Sequence, residues 1–342
     1  MTRTDFLIVD EFLQTLPEAR ALKTAFELGI IARLQAQGRG ASAALARLVG
    51  LDEAAMRLLL DLLVANGVVQ ERGGDVMLAD RFLRALRYRD LLEVRLDYVG
   101  HVLRDFAEGF TTLLRDPAGF QQSARLFDLF DYRPALLTDA ASLERTRAWM
   151  RITTVLTRYE AGPCLERYDM GAHRRVLDVG GNSGEFLRQI CLAHPAITGS
   201  VLDLPLVCDI GLDAMLAMPE APRIGFIAGD LREQALPPGH DLVTFKSMLH
   251  DWPERLAREF LAKAFAALPP GGTLLIYERA ALRFTGKLPL GMLPNLLFFR
   301  SYRGAEEYVA MLEAIGFTAI EAGDIALDSP FLLITARKPG DA

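Results

Sequence analysis

The chain has 342 residues, 51% of them hydrophobic, with a net charge of −6 and a pI near 5.5. That length allows about two domains of ordinary size, and the acid excess argues against nucleic acid or an anionic membrane as partner. No run of about 18 apolar residues marks a membrane-spanning helix. The three cysteines, Cys164, Cys191 and Cys208, lack metal-ligand spacing and suit a reducing, cytoplasmic compartment.

The first residues soon meet acids at Asp10 and Glu11, a poor match to a signal peptide. Apolar residues at helical spacing predict helices over 10–16 and 18–28. Two short helices over 42–49 and 52–66 come next, then a hairpin over 67–78 that turns at Gly73-Gly74. That order is a winged helix-turn-helix. Its second helix carries one base, Arg57, against Asp52, Glu53 and Asp61. Phosphate contact needs more basic charge, so a scaffold or dimerisation role is expected rather than DNA binding. Residues 101–165 read as further helix with recurring aromatics. Among these, Phe127, Trp149 and Met150 fit either a core or a lid over an apolar acceptor. The boundary between the two halves falls near 165.

From about residue 174 strands and helices alternate. Strands are predicted over 175–179, 197–203, 224–228, 241–247 and 273–278, with helices between them, such as 185–193 and 253–267. The end reads as a helix over 306–315 and two strands, 318–322 and 331–336. These last two are too close for a crossover helix, so they pair as a hairpin. The expected fold is α/β, a doubly wound, mostly parallel sheet behind a mainly helical first domain (1–165, then 166–342).

The most informative stretch is Val176-Leu-Asp-Val-Gly-Gly-Asn-Ser-Gly184. It is a strand ending in an acid, a glycine-rich turn and a helix start. Such a strand end is where a nucleotide-like ligand sits. The turn is not the G-x-G-x-x-G of a pyrophosphate site, because Asn182 or Ser183 falls at the second glycine. Asp178 would repel phosphate and suits a cation. S-adenosylmethionine (SAM) carries a sulfonium and an ammonium and no phosphate.

Further polar residues stand at successive strand ends. Asp203, 25 residues after Asp178, suits the two hydroxyls of a ribose. Asp230 can accept from an adenine amino group. Lys246 either lines the crevice or reaches solvent. Next comes Met248-Leu-His-Asp-Trp-Pro-Glu254. His250 stands at the mouth of the crevice, and imidazole can take a hydroxyl proton near neutral pH. Asp251 fits the N-cap of the following helix, in a D-x-x-E capping box with Glu254. Glu278, ending the fifth strand, can orient His250 or face water. The other histidines are not placed to complete a metal site.

Together these residues resemble the SAM-dependent O-methyltransferases of the plant caffeate and hydroxyindole type and their bacterial natural-product relatives. Val176–Gly184 matches the SAM loop, Leu202–Pro205 the ribose motif, and Gly229-Asp230 the adenine motif. Lys246 and His250-Asp251-Trp252 match the cofactor lysine and catalytic motif, and Glu278 the glutamate that supports the histidine. The resemblance implies SAM contacts from Asp178, Gly180, Gly181, Gly184, Asp203, Leu204, Asp230, Leu231 and Lys246, and catalysis by His250, Glu278 and Asp251. It also implies a small-molecule acceptor and a homodimer whose N-terminal segment closes part of the partner's pocket. Phe127, Trp149, Met150, Met292, Asn295 and Tyr302 are the candidate acceptor contacts. One departure stands out: Tyr302 falls where the family usually has a second glutamate. The resemblance implies a hydroxyl acceptor, while the departure at Tyr302 points to the alternative of C- or N-methylation; a SAM-binding winged-helix regulator is the other alternative.

Overall fold

A computed structural model describes residues 3–137, 139–283 and 286–340. The chain forms two compact units, residues 1–115 with 284–295 and residues 116–283 with 296–342. Residues 116–165, grouped by sequence with the N-terminal half, thus belong to the second unit. The reason is packing: Ala161 and Cys164 join the core of the large sheet.

In the first unit, strands β1 (Gly40–Ala41), β2 (Val69–Arg72) and β3 (Asp75–Leu78) form an antiparallel sheet in the order β1-β3-β2. The helices Ser42–Val49 and Glu53–Ala65 precede the hairpin, which turns on two glycines with positive φ, Gly73 and Gly74. The predicted helix over 10–16 is instead a 3-10 stretch, Asp5–Phe12. It cannot run on because Thr15 is in an extended conformation, capping the helix Leu16–Glu27 reciprocally with Glu18. The segment 286–295 joins this unit through backbone bonds from Leu290 and Gly291 to Gln14 and Leu13.

In the second unit, seven strands run in the order β6-β5-β4-β7-β8-β10-β9. They are β4 (Arg175–Val179), β5 (Thr198–Asp203), β6 (Ile224–Ala228), β7 (Leu242–Lys246), β8 (Thr273–Arg279), β9 (Thr318–Ala326) and β10 (Pro330–Arg337). The first five are parallel, and β10 pairs antiparallel with both β8 and β9. Alternate residues feed opposite faces. Leu177, Val179, Leu274 and Ile276 pack with Phe260, Leu261 and Leu312. Val176, Leu275 and Tyr277 pack with Phe186, Leu187 and Cys164. Both faces are therefore covered, as a parallel sheet requires. The strand order reverses between β4 and β7, so the crevice lies beyond the C-terminal ends of these strands.

Candidate active site

β4 delivers Asp178 fully buried, with Oδ1 accepting from Thr244 Oγ1 at 2.7 Å. Among the described residues its other oxygen, Oδ2, has no hydrogen-bond partner. Burial pushes this carboxyl up to about 7, against the pull of the Thr244 bond and the Lys246 charge. The turn that follows is tight. Gly180 has φ +66°, and a Cβ there would meet the Met248 side chain at 2.5 Å. A Cβ on Gly181 would stand 2.6 Å from Asp178 Oδ2. The missing side chains leave a cradle beside an unsatisfied buried acid, a setting that fits a small cationic group.

β5 ends in Asp203, which accepts from the backbone N–H of Asn182 and of Leu204, both at 2.8 Å. Burial raises it to about 6 despite these bonds. Gly184, with φ +76°, starts the helix Glu185–Ala193. Beyond β6, Asp230 is held below the usual carboxylate range by its side-chain bonds to Arg232. Leu231 is buried in the core. Lys246 does not reach solvent: its Nζ donates to Thr157 and pairs with Glu160, which also pairs with Arg279.

After β7 the backbone turns through Ser247, a non-glycine residue at φ +50°. This rare conformation aims two successive N–H groups, of Met248 and Leu249, at Glu278 Oε1 at 2.7 and 2.6 Å. The other oxygen, Oε2, lies 2.6 Å from His250 Nδ1. Glu278 is fully covered, whereas the His250 side chain keeps 13% of its area exposed. Burial opposes ionisation of Glu278, but the imidazole and the two N–H donors hold its pKa below the ordinary value. For His250, burial disfavours the imidazolium. The Glu278 and Asp251 carboxylates outweigh it, so its pKa lies above the usual histidine value.

Asp251 departs from the expected cap. The helix Glu254–Ala267 starts at Pro253 without a side-chain cap. Asp251 instead puts Oδ1 3.4 Å from His250 Nε2 and accepts from the Tyr132 hydroxyl at Oδ2, at 2.7 Å. The peptide between Leu249 and Trp252 is curled into a 3-10 turn by Arg303, which donates to both carbonyls. The sequence favoured capping because it cannot see that contact.

A bridge between Ala280 and Arg303 brings Tyr302 to the end of β8, with its ring 5.4 Å from that of His250, edge to face. Burial raises its phenol pKa. Trp149 and Met150 are mostly covered, packed with Ala135, Val207 and Leu204. Phe127 is half-buried, edge-on to Phe298. Met292 and Asn295 belong to the first unit, where Asn295 Nδ2 lies 3.5 Å from Met292 Sδ. Among the described residues, no group of three or more histidine, cysteine or acidic side chains is arranged to hold a metal ion.

A family model for an O-methyltransferase domain matches residues 133–318, more than half of the chain. The chain belongs to this O-methyltransferase family. The protein is therefore an enzyme, a SAM-dependent methyltransferase. It is 30% identical over 268 residues to the 3-hydroxy-5-methyl-1-naphthoate 3-O-methyltransferase of Streptomyces sahachiroi, covering 76% of this chain and 73% of that one. It is 27% identical over 338 residues to the N,N-dimethyltransferase OxyT of Streptomyces rimosus, covering 94% and 93%. In fold it is similar to the O-methyltransferase NcsB1 from neocarzinostatin biosynthesis, solved with SAM and 2-hydroxy-5-methyl naphthoic acid. That match has a TM-score of 0.69, with 21% identity over 94% of this chain and 97% of that one.

Four residues that hold the candidate side chains were not assigned to the site from sequence. Tyr132 lies 119 residues from its partner Asp251 and has no local signature. Glu160 reads as an ordinary helical acid, and Arg303 as a loop base. Arg279 had a signal: a cation directly after a buried glutamate, at the end of an apolar strand, needs a partner.

Proposed function

We propose that the enzyme transfers a methyl group to a hydroxyl of a small, largely apolar, aromatic or polyketide-like acceptor, with His250 as general base. The observation that carries this is the His250–Glu278 pair. Glu278 engages Nδ1 at 2.6 Å, which leaves Nε2 to take the hydroxyl proton as the acceptor oxygen attacks. The Glu278 and Asp251 carboxylates raise the His250 pKa and so make it a stronger base. SAM supplies an electrophilic methyl on a sulfonium, and the transfer breaks its C–S bond as the C–O bond forms.

For SAM itself, Asp178 is assigned to the ammonium, whose N–H would satisfy the orphaned Oδ2. Gly180, Gly181 and Gly184 let the backbone close around it. Asp203 with Leu204 is assigned to the ribose, Asp230 with Leu231 to the adenine, and Lys246 to the floor of the crevice. On the acceptor side, Phe127, Trp149, Met150 and Tyr302 are the proposed apolar contacts. Met292 and Asn295 keep that assignment from sequence position alone. The N-terminal region is proposed to pair two copies of the chain. A DNA-binding role has less behind it, since Arg57 is already bracketed by Asp61 and Glu71.

The likeness to a naphthoate O-methyltransferase and to NcsB1 supports an aromatic hydroxyl acceptor. N-methylation is the second reading. Tyr302 in place of an acid and the likeness to OxyT favour it. Product analysis separates them. The protein is incubated with SAM and a panel of phenols, keto acids and heterocycles, and products are read by mass and NMR. A methyl ether is expected; an N–CH3 or C–CH3 product would replace the hydroxyl assignment.

A further inference from the structure

We infer that Asp251, held by Tyr132, is the second carboxylate of the base, and that the Tyr132 hydroxyl sets how strongly Asp251 draws the proton on His250 Nε2. This rests on the reading of His250 as base. Glu278 occupies Nδ1, so Nε2 is the ring nitrogen left to exchange a proton with an acceptor. Asp251 Oδ1 faces that nitrogen at 3.4 Å, beyond a short hydrogen bond. At that distance a carboxylate attracts a proton on Nε2, yet an incoming hydroxyl can displace it.

The position of Asp251 is set from the other side. Its Oδ2 accepts from Tyr132 at 2.7 Å. Tyr132 in turn is wedged edge-on to Trp149, ring centroids 5.2 Å apart, and lies 6.5 Å from Trp252. The charged and titratable groups around His250 are Glu278, Asp251 and Arg279, with the Tyr302 ring against its edge. Those around Asp251 are His250, Tyr132 and Glu278. Tyr302, raised by burial, stays neutral and adds no second negative charge. Asp251 supplies that charge instead. Tyr132 and Asp251 are positioning residues, acting through the imidazole.

The two substitutions have opposite signs. A hydroxyl that donates to a carboxylate stabilises its ionised form and weakens its pull on a neighbouring proton. In Tyr132→Phe the carboxylate loses that donor and holds the Nε2 proton harder, so the coupled pair titrates at higher pH. In Asp251→Asn the charge is gone, and His250 titrates at lower pH.

The test uses the full-length protein with histidines labelled by ¹³C in the ring. The chain has five histidines, and the resonance missing in His250→Ala identifies the one that matters. Its midpoint is expected to rise by about half a pH unit in Tyr132→Phe and to fall by about as much or more in Asp251→Asn. SAM affinity by calorimetry should stay within about twofold in both, which a merely structural role would not combine with opposed titration shifts. Superimposable midpoints, or shifts of the same sign, overturn the inference. If Asp251→Asn does not fold, the sign of the Tyr132→Phe shift decides alone. The base assignment fails separately: its failure is unchanged turnover in His250→Ala, which leaves these midpoints as they are.

Discussion

Glu278 serves His250 with one oxygen and the backbone that carries it with the other. Oε2 meets Nδ1 at 2.6 Å while Oε1 receives the N–H groups of Met248 and Leu249. One buried carboxylate thus holds both the imidazole ring and the backbone that carries it, the preorganisation that the proposed base role requires.

Glu278→Gln should lower turnover by about 10²–10⁴-fold, because an amide stabilises the imidazolium poorly and presents N–H where N–H groups already point. The pair also makes a signed stability prediction. The raised His250 pKa gives stability that is full below 6.5 and is lost as pH rises through the folded value. The lowered Glu278 pKa gives stability present above 4.5 and lost as pH falls through its folded value. The excess melting temperature of the native chain over Glu278→Gln should therefore be largest between pH 4.5 and 6.5. A flat difference across pH would mean that the pair is not ionised.

Asp178 titrates near 7 because it is buried, and a bound cation would drive its proton off. SAM affinity should fall as pH drops below 7, by up to about tenfold per unit. Binding near pH 7 should release a proton, seen as a buffer-dependent heat. Asp178→Asn should bind weakly with no such dependence. The same raised pKa makes Asp178 a cost to folding that grows as pH rises from 3.8 to about 7, so SAM should raise the melting temperature most at neutral pH.

Gly181 and Gly184 should both resist substitution, for different physical reasons. Gly181→Ala places a methyl group 2.6 Å from Oδ2 and 2.9 Å from Cγ of the buried Asp178, so it should weaken SAM binding and lower the melting temperature. In Gly184→Ala the φ of +76° and contacts of 3.1–3.3 Å with Met215, Phe226 and Val201 should lower the melting temperature directly. Calorimetry and thermal scans of both variants check these outcomes, and native affinity and stability in either would contradict them.

Glu160 neutralises two buried cations, Lys246 and Arg279. Glu160→Gln leaves them without that charge and should cost about 3–5 kcal/mol in urea unfolding. Breaking the solvent-exposed Arg104–Glu108 pair should have no measurable effect.

Local patterns foretold much of this molecule. Glycines at 73 and 74 marked the hairpin, and β4 and β6 run over the predicted residues. The polar residues at strand ends were legible because a parallel sheet is otherwise apolar, so an acid at its rim stands out. Three features were hidden for one reason: they depend on contacts distant in sequence. The cap pattern at Asp251 was real, yet Tyr132 and His250 claim that side chain. Residues 116–165 look like the helices before them, but their packing partners lie after residue 174. Lys246 was read as lining the crevice or reaching water, and a helical glutamate 86 residues earlier keeps it from water.

The most direct measurement of the central claim is the turnover of His250→Ala against the native enzyme, with one methylated acceptor and saturating SAM. The account predicts a loss of about 10²-fold or more, with SAM affinity within a few-fold of native. Full turnover in the variant would contradict it and leave the reaction to proximity alone.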